Sequence, residues 1–504
     1  MQSSYTETVA STYRKLADLL LQQDRVLEAQ RVLDLLKVQE LEEYLQDVQR
    51  NGNTEAGVPN RPAEEQVENS LNTRLNQVIT LTRELQELEA IAPNQRTPQQ
   101  RQRILDLGRQ AQALIGGFNA FLQSKPIQDQ VALLRQTTDG QSIDLSNFRD
   151  LQRSLAALQQ NAVLLYPFVL DDRLELVLVT PEADTPIRET VAVDRVTLNQ
   201  AIANYRSALE NPSSDPLPLA QQLYGWLLKP LDELKTVGAK TIIYAPDGQL
   251  RYIPLGALHD GNEWVVQDFR INNITAASLT DLTLLPSQTP QVFAGAFTEG
   301  SYPIPVGDRQ EVFYGLQFAG KEVDNLATLL PNTTKLLNAD FNPATVSEMN
   351  SYNIVHLATH ATFVPGDKYQ SFILFGDGTP VSLAEVQNWR LPNVDLVVLS
   401  ACETGVGDEL GDGREILGLG YQMQKAGAKA AIASLWSVSD GGTQTLMDAF
   451  YGALAQGKSK AEALQQAQIA LITGDFEAVG GRRAGVEIVS TLTNQPLTPG
   501  GTLA

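Results

Sequence analysis

The amino-acid sequence predicts an α/β protein: a mostly parallel sheet flanked by helices, preceded by an all-α N-terminal region. Three observations predict it. From residue 162 onward, short apolar runs alternate with helical periods, the pattern of strands joined by crossover helices. The run VDLVVLSACETG (394–405) begins with β-branched residues and ends in a small-residue, glycine-terminated corner. That is the pattern of a strand buried on both faces with a loop at its carboxyl end. Before about residue 135, apolar residues recur only every three to four positions, as on helix faces.

Taken in order, residues 11–48 read as a helical pair. Tyr13, Leu16, Ala17, Leu20, Ala29 and Leu33 follow much of the spacing of a tetratricopeptide repeat, without its Trp and Pro. An ordinary amphipathic hairpin is the plainer reading of the same residues. A Gly/Asn/Pro linker spans 51–62. Val67, Leu71, Leu75, Val78, Leu81, Leu85 and Leu88 mark a first long helix, and Thr97-Pro98 begins a second with an N-cap and an N1 proline. Ile104, Leu107, Ala111, Leu114, Phe118 and Phe121 then form a narrow seam. It suits either a coiled-coil hairpin within the chain or homodimerisation, and the sequence does not choose. One more helix is predicted over 145–159.

At residue 162 the period changes to two, and a β-hairpin turning at Asp171-Asp172 is followed by a third strand in 185–193. Helices are predicted at about 195–210 and 216–236, and a buried strand at 240–246. Parallel strands are predicted at 291–297, 334–338, 353–358, 394–401 and 428–435. Helices fall at 321–330, 343–350, 414–426, 441–456 and 459–472. The expected divisions are 1–50 (repeat-like hairpin), 51–160 (long helical hairpin), 161–285 (hairpin and helices), 286–480 (main sheet) and 481–504 (irregular tail).

Composition narrows the function. The 504 residues are 43% hydrophobic, ample for a sizeable core, and carry a net charge of −21 at pH 7. That balance argues against nucleic-acid and anionic-membrane partners. A single cysteine excludes a disulfide within these residues and any thiolate-rich metal site. No signal core and no long apolar run is visible, so a cytoplasmic protein with a reduced thiol is expected.

The chemistry concentrates on that cysteine, Cys402, delivered to the carboxyl edge of its strand, where α/β sheets place ligands. The strand NIVHLATHA (353–361) brings His356 and His360, two of three histidines in the chain. A thiol near pKa 8.5 needs a partner to become a nucleophile. His360, at the strand end, is the candidate base. His356, deeper in the apolar run, reads as a satisfied structural histidine supporting the site or as a residue that orients His360. Zinc on His356, His360 and Cys402 is disfavoured, because four residues of strand separate the imidazoles by about 13 Å. No metal or cofactor is expected. The acidic, lysine-free loop 405–415 is not a phosphate cradle, nor does it match a calcium loop.

HLATHA (356–361), LSACETG (399–405), YAPDGQLRYIPLGALHD (244–260) and AGAKAAIASLWSVSD (426–440) together resemble the CHAT family of caspase-like cysteine peptidases. The resemblance covers about 160–474, so 161–285 would be the first part of the CHAT domain and 286–480 its caspase-like part. It implies catalysis by Cys402 and His360, with an oxyanion hole from the backbone N–H groups of Cys402 and Ala361. The family often has Gly where Ala361 stands, and its usual final aromatic-rich strand is not evident beyond VEIVST (486–491). Glu403, Asp408, Trp436 and Asp440 are the candidate cleft residues; Trp436 equally suits core packing, and a carboxylate so placed more often has a solvated or capping role. The expected partners are a protein or peptide substrate and a protein docked on the N-terminal helices, which a truncation near Asn161 is expected to leave dispensable for chemistry. Cleavage after basic or neutral residues is favoured over cleavage after acidic ones. A catalytically inactive scaffold of the same fold is the other function class.

Overall fold

The computed structural model describes residues 2–45, 96–104, 106–107, 109–110, 145–158, 160–231, 237–276, 289–306, 309–364, 367–400, 422–435 and 440–476, and the single positions 84, 88, 91, 125, 234, 438 and 479. Most of the expected coiled-coil hairpin, Cys402, Glu403, Asp408, Trp436 and the tail from 480 lie outside these residues.

The chain divides into two units: Leu19–Arg31 with Ala56–Leu145, and Met1–Asp18 with Val32–Glu55 and Ser146–Ala504. In the first, Thr97 opens a helix as its spacing predicts. Its hydroxyl accepts from the Gln100 N–H at 3.2 Å, and the Gln100 side chain accepts from the Thr97 N–H at 2.8 Å. The helical pair at the N-terminus is α1 (Gln2–Gln22) and α2 (Val26–Leu45), reversed at Asp24 in a left-handed conformation.

The second unit continues through α3 (Leu145–Ala157) into β1 (Ala162–Val169), β2 (Leu174–Val179), β3 (Ile187–Val191), α4 (Arg195–Glu210), α5 (Leu217–Leu227), β4 (Thr241–Tyr244) and β5 (Arg270–Asn273). These strands form one five-stranded sheet, ordered β3-β2-β1-β4-β5. β1 is apolar at nearly every position because both of its faces are covered. Val163 and Leu165 pack with Leu198 and Ile202 of α4 and Leu223 of α5. On the other face, Tyr166 meets α2: its hydroxyl donates to Asp34 at 3.3 Å, and the Lys37 ammonium sits 4.8 Å from its ring centre.

That helix face is charged rather than apolar. Lys37 donates to the Ala245 carbonyl at 2.7 Å, Arg14 to Asp247 at 2.7 Å, and Arg251 to Glu40 at 2.5 Å. Lys37, Glu40, Asp247 and Arg251 are buried. A buried charge is tolerated only when paired, so α1 and α2 are tied by ion pairs to the segment that follows β4. The stretch Gly248–Ala257 forms two 3₁₀ turns.

The second sheet, ordered β15-β14-β10-β6-β9, is parallel throughout. It comprises β6 (Val292–Ala296), β9 (Thr333–Leu337), β10 (Ile354–Ala358), β14 (Leu396–Ser400) and β15 (Ala431–Ala433). Between β6 and β9 the chain inserts a hairpin, β7 (Ser301–Val306) with β8 (Arg309–Tyr314), and the helix α6 (Ala319–Leu329). After β10 comes a small antiparallel sheet of β11 (Ala361–Val364), β12 (Asp367–Leu374) and β13 (Pro380–Ser382). The pattern of residues 353–361 predicts one continuous strand. Instead β10 stops at Ala358 and β11 belongs to another sheet, so His360 sits at a corner and does not share a strand face with His356.

α6, α7 (Asp440–Ala455) and α8 (Lys460–Thr473) cover one face of the parallel sheet, packing on Val292, Ala294, Ile354 and Val398. α8 touches both sheets. Glu462 accepts from Arg270 of β5 at 2.9 Å, and Gln465 donates to the Val266 carbonyl at 2.8 Å. Lys460 donates to the Asp395 carbonyl beside β14 at 2.8 Å. Among the described residues no helix is long and apolar enough to cross a membrane.

Candidate active site

The carboxyl edge of the parallel sheet is built by register. Ala296, Ala358 and Ser400 lie side by side at the ends of β6, β10 and β14. The Thr359 N–H still reaches the Ser400 carbonyl, at 3.3 Å. The strands therefore stay together to one residue before His360 and two residues before Cys402 in the chain. Small side chains at this edge leave room for the turn that follows.

The His360 ring is buried, at 8% exposure, and held edge-on by Phe313, with ring centres 5.2 Å apart, and by Phe297 at 5.9 Å. Its Nε2 lies 2.7 Å from the Tyr314 carbonyl. A carbonyl only accepts, so Nε2 carries the hydrogen. The neutral ring then keeps its lone pair on Nδ1, which is buried and has no hydrogen-bond partner among the described residues. One nitrogen is thus spent on orientation, and in the neutral ring the other keeps its lone pair. The Tyr314 carbonyl is itself fixed, because the Gly315 N–H donates to Gly300 at 3.0 Å and the Leu316 N–H to Phe297 at 2.9 Å.

Ala361 starts β11. Leu374 donates to the His360 carbonyl at 2.9 Å. By antiparallel alternation, Ala361 opposite Ile373 is then a non-hydrogen-bonded position whose N–H points away from β12. Ala361 is not among the residues with positive φ, so alanine is no hindrance where the family often has glycine.

Beneath this edge His356 is fully buried on the helix-covered face. Its Nδ1 lies 2.9 Å from the Tyr451 hydroxyl of α7, and its Nε2 lies 3.0 Å from Glu322 Oε1 of α6, out of line for a hydrogen bond. Ser400 Oγ donates to the same Glu322 oxygen at 2.6 Å. One buried carboxylate therefore joins the strand leading to His360 with the strand leading to Cys402. Burial, with Glu322 adding to it, pushes the Tyr451 hydroxyl well above its ordinary value. Among the described residues His356 is thus hydrogen-bonded through Nδ1 alone, with Nε2 set against the Glu322 carboxylate. Glu322 had no motif to announce it; the available signal was a carboxylate on the face of α6 shared by Ala319, Val323 and Leu326.

A cavity of about 400 Å³ opens beside His360 and runs along β8, lined by Val312, Tyr314, Leu316, Phe318 and Asp440. Asp440 Oδ2 accepts from the Phe318 N–H at 2.9 Å, while Oδ1 is buried without a hydrogen-bond partner among the described residues. Burial raises its carboxyl above the ordinary value, and Glu322 adds to this. Of the four predicted cleft residues, Asp440 alone lies among the described residues, and it shares this cavity with His360. Elsewhere, Asp260, Glu263 and Asp268 bring carboxylate oxygens within 4.8 Å of one another, with no second feature of a metal site.

No curated protein matches the chain. A family model described as CHAT domain matches residues 217–487, more than half of the chain, and takes in both strand ends and the cavity beside His360. The chain belongs to the CHAT domain family, whose fold is that of caspase-like peptidases.

Proposed function

We propose that the protein is a cysteine endopeptidase in which Cys402 is the nucleophile and His360 the base. The observation that carries this reading is the Tyr314 carbonyl on His360 Nε2, which leaves Nδ1 to take a thiol proton. The register of β10 with β14 adds support, since both candidate residues follow their strand ends by two positions. In acyl transfer, the Cys402 thiolate would attack the scissile carbonyl and His360 would return the proton to the leaving amine. The N–H groups of Ala361 and Cys402 would receive the developing oxyanion.

The test is alkylation of Cys402 by iodoacetamide across pH 5–9, in the wild type and in His360→Ala. A paired thiol should alkylate with an apparent pKa below about 7.5, and the variant should return it toward about 8.5. A wild-type profile already centred near the free-thiol value, unchanged by the variant, removes the peptidase reading.

Gly315 bears on the same pair. A Cβ there would stand 2.3 Å from the Glu299 nitrogen, so Gly315→Ala must shift the Tyr314 carbonyl. Such displacements cost up to about a hundredfold in rate. Peptide hydrolysis by Gly315→Ala should fall at least about tenfold, compared under conditions where the variant, destabilised by about 1–3 kcal/mol, is still folded; wild-type turnover would show that the carbonyl does not position His360.

On specificity, the cavity beside His360 has Glu311 and Asp440 and no Lys or Arg among its described lining. An acidic P1 side chain would go unpaired there, so a neutral or basic P1 residue is the better substrate. The N-terminal helices are the proposed docking region for a partner protein, supported by the exposed Leu16 and Leu19 of α1.

A further inference from the structure

The two edges of the β7–β8 hairpin are unequal. The Gly315 N–H to Gly300 bond sets the phase of the ladder: positions 302 with 313 and 304 with 311 exchange hydrogen bonds. The alternate pairs, Pro303 with Val312 and Pro305 with Gln310, do not. Their main-chain groups face outward on either side. On β7 two of the three outward positions, Pro303 and Pro305, have no N–H and only Ser301 keeps one, so that edge is a poor template for a further strand. On β8 the outward positions are Gln310, Val312 and Tyr314, each with an N–H and a carbonyl. The Tyr314 carbonyl already faces His360, as this phase requires. No strand pairs with the β8 edge among the described residues, Val312 is 47% and Tyr314 66% exposed, and the cavity from His360 runs along them.

We propose that an extended, proline-free segment of an unfolded polypeptide substrate binds as an added strand on the free edge of β8. This rests on the peptidase reading above. Every second substrate residue would exchange hydrogen bonds with Val312 and then Gln310, about 7 Å further from His360. The side chains of Val312 and Tyr314 would cover its apolar side chains. A strand from a second copy of this chain is the poorer occupant, because two bodies of net charge −21 repel.

Two measurements test the edge. Val312→Pro removes the outward N–H without touching the ladder, and Pro303→Ala gives β7 a donor on its far side. Turnover of fluorescein-labelled casein should fall about tenfold in kcat/KM for Val312→Pro, the worth of one or two hydrogen bonds, and stay at the wild-type level for Pro303→Ala. In Cys402→Ala enzyme, added unlabelled casein should slow amide hydrogen exchange in 310–314 and leave 301–306 unchanged. This second measurement does not depend on the folding of Val312→Pro. Unaltered casein turnover in a folded Val312→Pro, or casein protection that avoids 310–314, overturns the proposal. Protection of 310–314 without casein, accompanied by dimerisation, overturns it in favour of self-pairing. The iodoacetamide profile judges the Cys402–His360 pair without using this edge, so failure of the peptidase reading is seen separately.

Discussion

Glu322→Ala should cost about 3 kcal/mol of stability, at the level expected when one member of a buried pair is removed. It should also slow Cys402 alkylation. The carboxylate is 1% exposed and lies 2.6 Å from Ser400 Oγ and 3.0 Å from His356 Nε2. Alanine would leave both groups buried without that oxygen, and would release two strand ends that feed the candidate site. Glu322→Gln keeps an oxygen for Ser400 and should lose only about 1–2 kcal/mol, the worth of a hydrogen bond to a charged group. Denaturant midpoints of the three proteins, measured beside their alkylation rates, check the ordering. Equal midpoints for wild type and Glu322→Ala would deny the carboxylate its joining role.

Asp247→Ala should be comparably damaging although it lies far along the chain from His360. Burial pushes the Asp247 carboxyl up, but Arg14, Arg251 and Lys37 together overcome this and hold it below the ordinary value. It also accepts from the Val169 N–H at 3.1 Å. Its loss leaves the buried Lys37 and Arg251 and the partly buried Arg14 against Asp34 and Glu40, at a cost of about 3–5 kcal/mol. By the same logic, a chain begun near Asn161 would expose Asp247 and Arg251 without their helix partners. Aggregation rather than a separable active domain is the expected outcome, contrary to the expectation from periodicity alone.

Lys37 supplies a pH signature for the same cluster. Burial lowers its ammonium from 10.5 to about 8, against the pull of Asp34 and Asp247. Between about 8 and 10.5 the unfolded chain binds the extra proton, so this group makes stability rise with pH across that window. Lys37→Met should flatten the rise, which thermal melts at pH 7.5, 9 and 10 would reveal. A wild type with no such slope would place Lys37 outside the buried cluster.

The elements legible in the sequence are those whose side chains report burial directly. β1, β6, β10 and β14 are apolar throughout because both faces are covered, and α4 follows its N-cap Asp194 as its period requires. The hairpin beside His360 left no such trace. β7 and β8 bury only Ile304 and Phe313, and Pro303 and Pro305 argue against a strand. The group that orients His360 is a main-chain carbonyl, which no residue type can signal. Asp247 lies in a Pro-Asp-Gly sequence that by itself signals only a turn, because its partners on α1 and α2 lie more than two hundred residues away.

The position of α8 sets the order in which the molecule can be completed as it is made. Glu462 and Gln465 hold the first sheet while Lys460 holds the second. At ribosomal rates, residue 460 follows the last strand of the first sheet, which ends at Asn273, by about 10–40 s. Throughout that interval every strand of the first sheet has been made but not the helix it shares with the second, and His360 is synthesised long before the helix that braces its neighbour strand. Whatever this edge does with α8 in place therefore waits until residues 460–465 have been made.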